Sequence, residues 1–373
     1  MLPLLAPVMM ATASSIVWVL GLLLSCTLTS GSTTGALMAR RASRRTSAPP
    51  GFKAVLCCLD NPRGLALTRD GSLYVTEAGH GGAGPCATMR GVTMCYGPTG
   101  AILRLKKHVV TRAAAGLPSY APAGGDGATG PTRICFNKSG QMFVTYGLGM
   151  DPSLRPMLGA GGVHSGYLMR ISKTGAARPV ADISAYEGEH NPAGGPIDTN
   201  PYGLICDRNS EIVTDAGGNS LFRVTKGALS LLGAFPSRPG RATDAVPTSV
   251  AVGPGRAYYV GELTGKPFDV GVSNIYRVAP GRAPQVYLSG FTAIIDLAFA
   301  RDGSLYVLEH ASAAGLSGPG ELIKVSRKGV RTTISSALNH PTGLSISRNG
   351  TIYVIDNGTS AGAGDVLRLV GKH

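Results

Sequence analysis

NPRGLALTRDGSLYVTE, residues 61–77, decides how the rest of the chain reads. A small, Pro-containing entry leads into a short apolar strand. The chain turns on Asp70-Gly71 and returns through a second strand that ends on Glu77. Asp-Gly supplies the positive-φ positions that a tight hairpin demands. Five more stretches share this pattern: GPTRICFNKSGQMFVTY from Gly130, NPYGLICDRNSEIVTD from Asn200, VPTSVAVGPGRAYYVGE from Val246, AIIDLAFARDGSLYVLE from Ala293 and HPTGLSISRNGTIYVID from His340. A third strand follows each copy (AILRL, YLMRI, SLFRV, NIYRV, ELIKV, DVLRL), and a weaker fourth follows the first five. The sixth copy runs out at His373 without a fourth strand, while FKAVLCCL, residues 52–59, precedes the first copy and has strand composition. Six repeats of four strands predict an all-β, six-bladed β-propeller whose last blade is closed by the N-terminal strand near 52–59. Closure of this kind removes an exposed sheet edge.

Labelling the strands of a blade a to d puts the a–b and c–d turns on one face of the disc and the b–c and d–a connections on the other. The a–b and c–d turns are short throughout. The long segments are b–c connections (78–99, 147–165, 263–272, 311–319) or d–a connections (117–129, 184–199). All of them are expected on one face, the loop face, which is therefore the expected place for a binding site. Strand b ends on a carboxylate in five blades: Glu77, Asp215, Glu262, Glu309 and Asp356. Tyr146 takes that position in blade 2. Converging carboxylates suit a hard cation such as Ca²⁺, or acid–base work. The same residues at a strand end also suit a blade-building role, accepting backbone N–H groups. His80 and His310 sit close to Glu77 and Glu309 in sequence, and His164 and His190 fall in loop-face segments.

The opposite, short-turn face reads as basic. Arg69, Lys138, Arg208, Arg256, Arg301 and Arg348 occupy the a–b turns, offset in part by Asp70, Asp207 and Asp302. The chain has 373 residues and a net charge of +14. Four of those charges come from Arg40, Arg41, Arg44 and Arg45. An anionic surface is the expected partner for the short-turn face, with a small molecule or glycan expected at the loop face.

Residues 1–39 lack any charged side chain, and IVWVLGLLLSCTL (residues 16–28) is almost unbroken in its apolarity. Residues 1–32 read as a signal peptide or signal anchor, 33–50 as a Ser/Arg/Pro-rich linker and 51–373 as the propeller. The chain is expected outside the cytoplasm, secreted or anchored through residues 16–28, and monomeric. Export and sparse aromatic residues argue against nucleic acid as a partner. Cys86 and Cys95 bracket a short loop and are expected to form a disulfide. Cys57, Cys58, Cys135 and Cys206 fall in strands and read as buried thiols. Sequons stand at Asn137, Asn349 and Asn357. No Cys/His zinc pattern is present.

The segments CYGPTGAILRL, GATGPTRI, SGYLMRI and NPAGGPIDTNPYG, together with the first repeat, resemble the ScyD/ScyE family of exported propellers, related in blade pattern to NHL-type and strictosidine-synthase-like propellers. The resemblance spans about residues 51–370. It implies fold and export, and an accessory role in making a sunscreen pigment, and it brings no catalytic residue with it. Without a nucleophile elbow, zinc motif or nucleotide loop, the sequence reads as an extracytoplasmic ligand-binding or scaffold propeller. The alternatives are a Ca²⁺-dependent hydrolase or lactonase using the five carboxylates, and a strictosidine-synthase-like enzyme with Glu262 or Glu309 as its acid–base group.

Overall fold

A computed structural model describes residues 40–41, 48–235 and 244–371. The chain divides into two units, 1–36 and 37–373, and every described residue belongs to the second. The leader and most of the linker lie outside the described residues.

The twofold alternation of strands produces six antiparallel sheets. Blade 1 runs through Pro62–Leu67, Leu73–Glu77, Val92–Lys106 and Val109–Ala121. Blade 2 comprises Pro131–Phe136, Met142–Tyr146, Tyr167–Ile171 and Ala177–Asp182. Blade 3 comprises Pro201–Asp207, Ser210–Asp215, Ser220–Thr225 and Ala228–Ala234. Blade 4 follows as Pro247–Val252, Tyr258–Glu262, Ser273–Val278 and Gln285–Phe291, and blade 5 as Ile294–Phe299, Leu305–Glu309, Gly320–Val325 and Arg331–Leu338. Blade 6 contributes Gly343–Ile346, Ile352–Asp356 and Gly364–Leu369, and its outer strand is Phe52–Leu59, paired antiparallel to Gly364–Leu369. The N-terminal closure expected from the sequence is present. At the hairpin tips Gly71, Gly140, Gly303 and Gly350 adopt φ of 77°, 75°, 84° and 85°, which a side chain would resist.

Strand b is buried along its whole length in blades 2, 4 and 5, because both faces of a blade pack on neighbours. Six of the apolar clusters lie one between each adjacent pair of blades. Val75 and Leu103 of blade 1 meet Leu59, Ile355 and Val366 of blade 6, which seals the ring. Hydroxyl latches join neighbouring blades: Thr145 donates to the Tyr202 carbonyl (2.9 Å), Thr248 to Ile294 (2.6 Å) and Thr342 to Pro62 (2.7 Å). Gly64 allows this close approach, since a Cβ there would stand 2.5 Å from the Thr132 carbonyl oxygen.

Two sequence expectations change. The segments 78–99 and 117–129 are not open loops. Cys86–Met89 forms an extra strand on Val92–Lys106, and the c–d hairpin of blade 1 extends to Ala121 on the loop face. Ala87, Met89, Met94 and Tyr120 have apolar partners there in Leu148, Met150 and Leu158 of blade 2's insertion, so the projection carries its own small core. Residues 184–199 likewise include a helix, α1 (Ile183–His190), capped by the Asp182 carboxylate on the Ala185 N–H (3.0 Å). The second change concerns sulfur. Cys86–Cys95 is a disulfide as expected, but Cys135 and Cys206 are not thiols: they form a second disulfide between the inner strands of blades 2 and 3. Repeat alignment gives these cysteines adjacent, not equivalent, positions, and only the lateral packing of blades brings them together. Cys57 is buried as expected and Cys58 is exposed, its sulfur 3.0 Å from that of Cys57.

Candidate functional site

The strand-end carboxylates are buried and each holds backbone. Glu77 accepts the Asp60 N–H (2.9 Å), Glu262 the Asn274 N–H (2.7 Å), Glu309 the Thr292 N–H (2.7 Å) and Asp356 the Asn339 N–H (2.6 Å). Asp215 accepts the Thr199 hydroxyl and the N–H groups of Asn200, Gly217 and Gly218. In four blades the donor thus lies in the connection entering strand a, so the carboxylate pins that loop to the blade. Burial pushes the Glu309 carboxyl up to about 7 and that of Asp356 to about 6, against the opposing pull of those N–H groups. Tyr146 is buried, its hydroxyl meets no partner among the described residues, and burial raises its pKa. Among the described residues, no three His, Cys, Asp or Glu side chains are gathered so as to hold a metal ion.

The histidines separate into different settings. His310 is buried, donates its Nδ1–H to the Pro341 carbonyl (2.9 Å), and is pushed down to about 4 by burial, with His340 and Arg63 adding to the shift. His80 is half-exposed and pairs through Nδ1 with Asp60 (3.1 Å), whose own N–H is held by Glu77. This pair borders a loop-face cleft of about 520 Å³. His164 packs edge-on to Tyr167, and His190 stacks on Tyr186.

Two connected cavities lie on the axis and open to the other face. Strand a of all six blades lines a channel of about 410 Å³. It shares Leu67, Phe136, Cys206 and Ile346 with a mouth of about 890 Å³ among the a–b turns of blades 1, 2, 3 and 6. Arg69, Lys138, Arg208 and Arg348 line the mouth, and no ion pair engages any of them among the described residues. Asp70, which also lines it, is taken up by Arg104 (3.1 Å) and Lys106 (2.6 Å). Two sequon residues, Asn137 and Asn349, stand at the same mouth.

The channel floor is an ion pair that crosses the axis. Arg133 of blade 2 reaches Asp296 of the opposite blade 5 at 3.0 Å, and donates to the carbonyls of Arg63 (2.8 Å) and Ile295 (2.7 Å). Asp296 accepts the N–H groups of Leu297 and Leu344. Burial raises the Asp296 pKa, and Arg133 offsets the rise only in part. The sequence carries a signal for this pair that strand-end counting missed. The fourth residue of each repeat is Gly64, Arg133, Gly203, Ser249, Asp296 and Gly343. Four small residues leave space on the axis, and two opposite charges fill it.

No family model matches the sequence, and no curated protein matches it. Solved structures do. A Bacteroides thetaiotaomicron protein of unknown function superposes with a TM-score of 0.53 at 10% identity, covering 89% of this chain and 74% of the other. A glucose dehydrogenase gives 0.51 at 13% identity, covering 87% of this chain and 100% of the other. A protein provisionally named a gluconolactonase gives 0.50 at 12% identity, covering 88% and 96%. At these identities the likeness is one of fold: the chain is a six-bladed β-propeller.

Proposed function

We propose that the protein is an extracytoplasmic binding propeller that takes a small organic anion into its axial channel from the short-turn face. The observation carrying this reading is the mouth: a cavity of about 890 Å³ with four cations that no carboxylate engages among the described residues, leading into the axial channel. Unscreened cations around a concave opening raise the local concentration of anions. Leu67, Tyr74, Phe136 and Ile346, which line the mouth between the cations, favour a ligand with a hydrophobic body. This places the ligand on the face opposite the elaborated loops, which are folded into a roof. The two disulfides fit an oxidising compartment, and none of the described helices is long and apolar enough to cross a membrane.

The test uses anilinonaphthalene sulfonate, an anion with an apolar body, titrated into the folded protein by fluorescence and calorimetry. One site per chain is expected, weakening with added salt. The double variant Arg208→Glu/Arg348→Glu should weaken it about tenfold or more. Unchanged affinity in that variant removes the reading. A second reading, acid–base chemistry at the loop face, is favoured by the His80–Asp60 pair beside its cleft. It would gain only if an esterase or lactonase activity fell on His80→Ala.

A further inference from the structure

Between blades 2 and 3, on the loop face, oxygen atoms gather without donors. Glu187, in the last turn of α1, is 1% exposed, and its Oε2 has no hydrogen-bond partner among the described residues. Asn191 closes the helix in a left-handed conformation, with its N–H on the Glu187 carbonyl (2.9 Å), and leaves its own Oδ1 buried without a donor. Asp198 does the same with Oδ1, while its Oδ2 accepts from Arg90. Three such buried atoms therefore fall within twelve residues of chain. Asp215 completes the group. Its Oδ2 and Glu187 Oε2 face the same space, the one left open by Gly218: a Cβ there would lie 2.5 Å from Glu187 Oε2 and 3.0 Å from Asp215 Oδ2.

Asp215 has its own hydroxyl and N–H donors and Asp198, partly exposed, has Arg90, but the buried Glu187 carboxylate beside them leaves Oε2 without a donor among the described residues, which costs several kcal/mol unless a cation or a proton relieves it. We propose that a divalent cation of the Ca²⁺ type binds here, anchored by Glu187 and Asp215, with Asp198 and Asn191 supplying further oxygens. Every donor is an oxygen, and none is nitrogen or sulfur, which suits Ca²⁺ and not Zn²⁺. Ca²⁺ also tolerates the irregular geometry of a loop. As they stand the acidic groups do not enclose an ion, so loading requires the segment between Asn191 and Asp198 to close. That segment is PAGGPI, with Gly194 and Gly195 exposed and at positive φ, where the backbone is most adaptable. The bound ion would clamp the α1 insertion of blade 2 onto the end of strand b in blade 3. The site lies apart from the axial channel and does not depend on the function proposed for it.

The experiment is calorimetric titration of the purified full chain with CaCl₂, alongside thermal unfolding and limited proteolysis. One Ca²⁺ per chain is expected, with a raised Tm and slower cleavage between Asn191 and Asp198. Glu187→Gln and Asp198→Asn should each lose the Ca²⁺ response at least tenfold. Glu187→Gln should keep or raise the Tm of the Ca²⁺-free protein, since it removes one of the clustered charges without changing shape, which separates lost binding from misfolding. The proposal fails if no saturable binding occurs up to about 10 mM Ca²⁺, well above the range of extracellular sites. It fails equally if both variants bind as the parent does. A Glu187→Gln variant more stable than the Ca²⁺-saturated parent would assign the relief of charge to a proton and overturn it.

Discussion

Arg133 and Asp296 illustrate how a single residue acts across the molecule. Each stands where other blades carry Gly or Ser, and each reaches the axis because those neighbours lack bulk. A Cβ on Gly343 would come within 3.3 Å of the Arg133 guanidinium. The pair spends its hydrogen bonds on three blades, 1, 5 and 6: carbonyls of Arg63 and Ile295, N–H groups of Leu297 and Leu344. Removing one partner leaves the other charged and buried. Arg133→Met or Asp296→Leu alone should therefore destabilise by about 3–5 kcal/mol. The double variant should lose less than the two singles added, since no charge is stranded. Denaturant unfolding of the four proteins measures this, and strict additivity would mean that the pair does not act as a unit. The strand-end carboxylates act at shorter range. Glu309 and Asp356 fasten the backbone entering their own blades, a role equally open to them on the sequence pattern alone.

At the scale of the element, the two disulfides constrain the chain differently. Cys86–Cys95 spans 9 residues and joins register partners within one hairpin. Cys135–Cys206 spans 71 residues and ties two inner strands of adjacent blades. Loop-closure entropy rises with the logarithm of span, so the long bridge should contribute about 4 kcal/mol and the short one about 2–3 kcal/mol. Cys135→Ser/Cys206→Ser should accordingly lower the denaturation midpoint more than Cys86→Ser/Cys95→Ser, measured under oxidising conditions, and the reverse order would contradict the assignment. What the sequence made legible divides along the same line. Strands and turns were readable because their signals are local and repeat: Asp-Gly tips, alternating apolar residues, Pro-led entries. The short bridge was readable for the same reason. Cys135–Cys206 was not, because it depends on how two blades pack. The folded roof over 78–129 was hidden too, since insertions break the repeat and have no second copy to be compared with. Arg133 and Asp296 were visible in principle, as charges at a position otherwise small, but that position had to be compared around the ring and not along the strand.

The whole molecule is held by interfaces between blades, and a ring of interfaces is only as strong as its closure. Each blade packs on two neighbours through an apolar cluster, and blade 6 reaches blade 1 partly through the N-terminal strand: Leu56 and Leu59 of that strand pack with Val75 and Leu103. Phe52 of the same strand packs with blades 5 and 6. Without residues 52–59, Gly364–Leu369 becomes a bare edge with unpaired N–H and C=O groups, and buried leucines on both sides of the seam are exposed. Truncation to residue 60 should therefore convert a monodisperse protein into one that self-associates through that edge, with a cooperative unfolding transition lowered in temperature. Supplying the peptide FKAVLCCL, or its Cys→Ser form, in trans should restore part of the lost stability by strand addition. Light scattering and thermal unfolding, with and without the peptide, read the outcome. A truncated chain that stays monodisperse and unfolds as the parent does would mean that the seam is closed by something other than this strand. That closure would then fall to the Thr342–Pro62 bond, which joins the inner strands of blades 6 and 1 across the seam, and to the packing of Val75 and Leu103 on Ile355 and Val366.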